Sequence, residues 1–193
     1  MVSTLPAFSA LAEETFDVTF RTGAAFGSLT FLDDNDQQVT GSFGGIPLGA
    51  MWNRGLSRTA SLRLGGGVLL DLKNSQLIKQ GIAAGFAWHV LGGPRRFSRE
   101  GATAGFVTTS QSSVSIITYG GLQNFAATDA ENTKTKVAGS VFEVDLGLEY
   151  RYDFTDVTAA TIELASSIYT LPASVSRIKP ATYELIFGWR SFI

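Results

Sequence analysis

The sequence predicts an all-β fold, an eight-stranded antiparallel up-and-down β-barrel that crosses a lipid bilayer. Three observations carry this. Apolar residues alternate with small or polar ones at a period of two in segment after segment, the pattern of strands with two unlike faces. Only 17% of the residues are charged, against about 25% in a soluble domain. No run reaches the ~18 apolar residues of a membrane-spanning helix, so strands must do the crossing.

In the first segment Phe16, Val18, Phe20, Ala24 and Phe26 share one face, and Asp17, Thr19, Arg21, Gly23, Ala25 and Gly27 share the other. The second sets Ile46, Leu48, Ala50 and Trp52 against Gly45, Pro47, Gly49, Met51 and Asn53. The third sets Leu62, Leu64, Val68, Leu70 and Leu72 against Arg63, Gly65, Gly67 and Asp71, and the fourth Ile82, Ala84, Phe86, Trp88 and Val90 against Gly81, Ala83, Gly85, Ala87 and His89. The fifth, around Val114 to Leu122, has open parity because Ile116 and Ile117 are adjacent. The sixth is the clearest: Phe142, Val144, Leu146, Leu148, Tyr150 and Tyr152 alternate with Glu143, Asp145, Gly147, Glu149 and Arg151. The seventh sets Ile162, Leu164 and Ile168 against Thr161, Glu163 and Ser167; the last sets Tyr183, Leu185, Phe187 and Trp189 against Glu184, Ile186, Gly188 and Arg190.

A soluble barrel also alternates, but with its polar face in water. Here the polar face mixes glycine and alanine with isolated charges, as a lumen just filled by side chains requires. Turn-forming stretches such as DDNDQQ at 33–38, KNSQ at 73–76 and LPASVSRIKP at 171–180 separate the segments, giving seven connections and putting both termini on one side.

The 193 residues read as an N-terminal arm or signal-peptide remnant over 1–12, with small residues at Ala10 and Ala12, and one barrel domain over 13–193. A net charge of -2 argues against nucleic acid as a partner. The chain has no cysteine, which excludes disulfides and thiolate metal sites. No metal-ligand spacing or phosphate-cradling loop is present, so neither metal nor cofactor is expected.

Over roughly residues 14–193 the chain resembles the small bacterial outer-membrane barrels typified by the OmpA transmembrane domain and OmpX. The closing strand YELIFGWRSFI is similar to their amphipathic ends, although it finishes on Ile193 with Phe192 one place early. The resemblance implies residence in the bacterial outer membrane with both termini in the periplasm. In that orientation Trp52, Trp88 and Trp189, with Tyr150 and Tyr152, fall at the inner interface as an aromatic girdle.

By parity the lumen receives Arg21, Arg63, Arg151 and Arg190 facing Asp17, Asp71, Glu143, Asp145, Glu149, Glu163 and Glu184. Charges in a narrow dry interior must pair, so a linked salt-bridge network is expected, with a narrow pore as its alternative. Lys73, Lys79, Lys134, Lys136, Arg177 and Lys179 lie at or near the expected outer loops, where they would meet lipopolysaccharide phosphates. The longest connection, 92–112, is on the inner side and offers room for a periplasmic partner. The single histidine, His89, faces the lumen near the inner rim. Lipid A-modifying barrels work at the outer leaflet, and their H-x-S pattern is absent because Val90 and Leu91 follow. The function expected is therefore non-enzymatic, a structural or interaction barrel in contact with outer-membrane lipids and lipopolysaccharide, the alternative being a lipid A-modifying hydrolase or acyltransferase.

Overall fold

The computed structural model describes residues 16–32, 38–57, 59–72, 77–93, 96–100, 103–107, 111–128, 136–155, 157–172 and 178–192. In chain order the strands are β1 (Phe16–Leu32), β2 (Gln38–Gly55), β3 (Ala60–Asp71), β4 (Leu77–Leu91), β5 (Arg96–Glu100), β6 (Thr103–Val107), β7 (Ser112–Thr128), β8 (Lys136–Asp153), β9 (Thr158–Pro172) and β10 (Lys179–Phe192). Eight of them close into a barrel in the order β1-β10-β9-β8-β7-β4-β3-β2, every neighbouring pair antiparallel. The expected fold class is the observed one. We call the end where β1 starts and β10 finishes the near end, and the opposite one the far end.

Over the near part of the wall, polarity is reversed relative to a soluble protein. Phe20, Ile82, Leu148, Leu164 and Phe187 stand exposed outside, while Arg63, Glu149, Arg151, Glu163 and Arg190 are buried inside. A wall that is greasy outside and ionic inside is stable only with hydrocarbon around it. In β7 the packing settles the open parity: Ile117 is 0% exposed and points inward, and Ile116 is 39% exposed and points outward.

Toward the far end the polarity inverts. There Leu29, Phe31, Leu69, Ile78, Phe125, Val141 and Ile178 are buried together inside, with Phe43 packed against them. Outside at this level polar side chains stand among apolar ones: Thr30 bonds Thr40 at 3.0 Å and Ser140 bonds Asn124 at 2.6 Å, both pairs exposed, while Leu72, Leu77 and Leu171 are exposed as well. This corrects the expectation of a lumen lined throughout by small and charged residues. The reason is length. A strand needs about 9 to 11 residues to cross a bilayer, whereas β1, β2, β7 and β8 have 17 or 18. Their surplus extends beyond such a span, and it is there that apolar side chains fill the lumen.

Two bulges re-aim side chains. Between Leu69 and Leu70 the β3–β4 register shifts, so that Ile78 and Lys79 both turn inward. Between Val144 and Asp145 the β8–β9 register shifts, so that Ile168 and Tyr169 both turn outward. The inner connection also holds strands that its polar, glycine-bearing sequence does not suggest. It leaves β4 through Gly92, whose φ of 75° suits glycine, and contains the antiparallel pair β5–β6 as a separate two-stranded sheet.

Candidate functional site in the barrel lumen

The ionic part of the lumen is built in layers, each from residues two apart along a strand. At its centre Arg63 on β3 grips Glu149 on β8 with two parallel bonds, 2.9 and 2.6 Å, the bidentate geometry a guanidinium favours. Arg190 on β10 reaches the same carboxylate at 3.3 Å, Asp17 at 3.2 Å and the Thr19 hydroxyl at 2.9 Å. Asn53 donates to Asp17 at 2.6 Å and to Thr19 at 3.1 Å. Arg21 pairs with Glu163 and lies over the Tyr119 ring, 5.3 Å from its centre. Tyr119 links these groups, accepting from Arg63 at 2.9 Å and donating to Glu163 at 3.3 Å.

Room for that tyrosine comes from Gly85 opposite it. A Cβ at Gly85 would stand 1.9 Å from the Thr118 carbonyl and 2.7 Å from the Tyr119 ring. Tyr119 and Asn53 escaped the sequence reading as network members. Asn53 carries the inward parity of its strand, the signal that could have found it, whereas the parity of β7 is open in the sequence and only the packing turns Tyr119 inward.

Nearer the base, Arg151 lies 3.1 Å from Asp153 and donates to the Gly93 carbonyl at 2.8 Å, tying the start of the long connection to the lumen. His89 is buried between Ser61 and Ser115, 2.8 Å from each hydroxyl. Both ring nitrogens thus have a serine partner, and His89 is 6% and Ser115 0% exposed.

Above the central network lies a second group. Lys79 approaches Glu143 at 2.5 Å and Glu184 at 3.6 Å, with the Phe125 ring 5.8 Å away. This corrects the assignment of Lys79 to an outer, lipopolysaccharide-facing ring: it shares the inward parity of Ala87 and His89 on β4 and is seated inside the barrel. Asp145 borders the cavity of about 90 Å³ that separates the two groups, together with Arg21, Glu163 and Glu184. Asp71 is half-buried at the far end of β3. Among the described residues no cluster of three or more His, Asp or Glu side chains is arranged to hold a metal ion.

The aromatic residues gather on the outside of the near end. Trp88, Trp189, Tyr150 and Tyr152 are exposed and Trp52 half-exposed. Phe154 joins them, stacked on Trp189 at 6.0 Å and edge-on to Tyr152 at 5.4 Å. On the other side of the apolar belt Phe26 stacks on Tyr183 at 5.7 Å. Of the basic residues assigned to outer loops, Lys179 is exposed at the far end. Lys73, Lys134 and Arg177 lie outside the described residues, as does the side chain of Lys136.

No protein-family model matches the sequence, and no curated protein matches it. Solved structures do. The N-terminal β-barrel domain of OprF from Pseudomonas aeruginosa is similar with a TM-score of 0.56 at 14% identity, over 94% of this chain and 99% of that one. Neisserial surface protein A is similar with a TM-score of 0.56 at 14% identity, over 91% of this chain and 96% of that one. At such identity the likeness speaks for architecture alone. The fold is that of the small eight-stranded outer-membrane barrels.

Proposed function

We propose that this chain stands in the bacterial outer membrane as a non-enzymatic structural and interaction barrel, closed to ions along its axis. The observation that carries the reading is double closure of the lumen. The Arg63–Glu149–Arg190 network, with side chains 2 to 3% exposed, fills the near part, and the apolar cluster around Leu69, Phe125 and Ile178 fills the far part. An ion following the axis would have to break buried pairs and then cross a hydrocarbon-like layer. His89 supports no catalytic alternative, since its two serine partners hold it inside the near end, away from the outer leaflet.

The barrel's partners are lipids around the belt and lipopolysaccharide around the far-end collar, where Thr30, Thr40, Asn124 and Ser140 offer hydrogen bonds and Lys179 a positive charge. Lys73, Lys134, Lys136 and Arg177 extend that basic set in sequence. The 92–112 connection is the docking segment for a periplasmic partner. Single-channel recording in planar bilayers tests the closure. Insertion without a unitary conductance is the expected result, and regular open steps would replace the plug with a narrow pore.

A further inference from the structure

The cavity of about 90 Å³ between the two ionic groups has two unlike sides. On one, Gly49 of β2, Gly67 of β3 and Gly81 of β4 carry no side chain to fill it, and Pro47, Met51 and Ala83 make the wall apolar. On the other stand polar side chains of β7, β8 and β10, namely Gln123, Asp145 and Glu184. The volume is enough for several waters.

The cations at its border are committed elsewhere. Arg21 pairs with Glu163, and Lys79 lies 2.5 Å from Glu143. Among the described residues Glu184 has only Lys79 within ion-pair reach, at 3.6 Å, and Asp145 makes no ion pair and no side-chain hydrogen bond. Acid is therefore in surplus around the cavity.

Gln123 is an independent sign of a missing partner. Its side chain is 7% exposed, and its Oε1 lies over Gly81, where a Cβ would stand 2.2 Å from it. Among the described residues the amide makes no hydrogen bond. Buried polar groups are nearly always bonded, so an amide left open at the edge of a polar cavity calls for a partner inside that cavity.

We propose that the cavity binds a small primary alkylammonium ion. Its three N–H donors match three acceptors that the network leaves open, the Asp145 and Glu184 carboxylates and the Gln123 amide oxygen. Its short alkyl part lies against Pro47, Met51 and Ala83. An anion meets the surplus acid, a neutral alcohol forgoes the ion pair, and a quaternary ammonium ion has no N–H to give. A metal ion fits less well, since among the described residues no three His, Asp or Glu side chains are arranged to hold one. The ionic plug lies on the near side of the cavity and the apolar cluster on the far side, so the ion enters when one of them opens transiently, and exchange is slow. The site needs only the closed barrel and is independent of the bilayer placement.

The full chain in dodecyl maltoside micelles, dialysed to equilibrium against radiolabelled methylammonium at constant ionic strength, tests this, with protein-free micelles as the blank. Dialysis is insensitive to slow entry. Saturation at one site per chain is expected, with displacement by ethylammonium and competition weaker by at least about ten-fold for sodium, tetramethylammonium and ethanol. Asp145→Asn, which breaks no ion pair among the described residues, should weaken binding by at least about ten-fold. Ala83→Leu fills the cavity with its charges unchanged and should abolish binding. Uptake that does not saturate, equal competition by sodium or tetramethylammonium, or an unchanged affinity in either variant would each overturn the proposal. Each variant is first shown to retain its heat-dependent gel shift, with Glu184→Gln and Ala83→Val used in place of one that does not.

Discussion

Replacing Glu149 by Gln removes the one anion that two buried arginines share. Arg63 holds this carboxylate at 2.9 and 2.6 Å and Arg190 approaches at 3.3 Å, all three side chains being 2 to 3% exposed. Breaking a buried pair from one side costs about 3 to 5 kcal/mol, because the abandoned charge stays out of water. In this variant Arg190 keeps Asp17 and Thr19, but Arg63 keeps only the neutral Tyr119 hydroxyl among its bonds here. The full range therefore applies to Glu149→Gln. Arg63→Met is expected near the lower limit, about 3 kcal/mol, since Glu149 still has Arg190. Combining Arg63→Met with Glu149→Leu removes both members and fills the space with hydrocarbon, so the double variant should cost less than the summed singles by about 2 to 3 kcal/mol. Urea unfolding from lipid vesicles, followed by tryptophan fluorescence, measures all three. Single effects under about 1 kcal/mol that add within ~0.5 kcal/mol would mean the charges stand in water, and the plug argument would fail.

Other perturbations probe the wall and the far end. Leu146→Arg places a charge on the lipid-facing side and should cost about 2 to 4 kcal/mol in the same unfolding assay. Gly147→Ala, one residue on, should also destabilise, because its Cβ would stand 2.5 Å from the Leu164 carbonyl; a neutral result would show that β8 and β9 separate more than this register allows. Phe125→Ala should cost about 3 to 5 kcal/mol by emptying the apolar far-end cluster, and single-channel recording of the same variant shows whether that cluster alone seals the lumen. His89→Ala should leave the lipid A mass profile of expressing cells unchanged, and a lost modification would revive the enzymatic alternative.

The strands and their faces were legible because the side-chain period of a strand is a local property. Writing Phe142 to Tyr152 against Glu143 to Arg151 suffices to name an inward and an outward face. The lumen members Arg21, Arg63, Glu149, Glu163 and Arg190 followed from parity alone. Lys79 shares the inward parity of His89 and Ala87 on β4, and proximity to a turn argued for the opposite place. The structure sides with parity, and the bulge at Ile78 turns that residue inward as well. The apolar far-end cluster was also written in the chain, as Leu29 and Phe31 continuing the inward set of Ala25, but alternation says which residues share a face and not what surrounds that face.

Sequence by itself determined the eight barrel strands, the faces of all of them but β7, and the set of charges that must be sheltered, since each depends on residues a few positions apart and on the scarcity of charge. Only the tertiary structure decided which charges meet. Arg63 and Glu149 are 86 residues apart and become a bidentate pair through the register of several strands and the closure of the ring. The level at which the lumen turns from ionic to apolar was decided in the same way. It arises from stagger accumulated around a closed sheet, and no single strand carries that quantity in its own sequence.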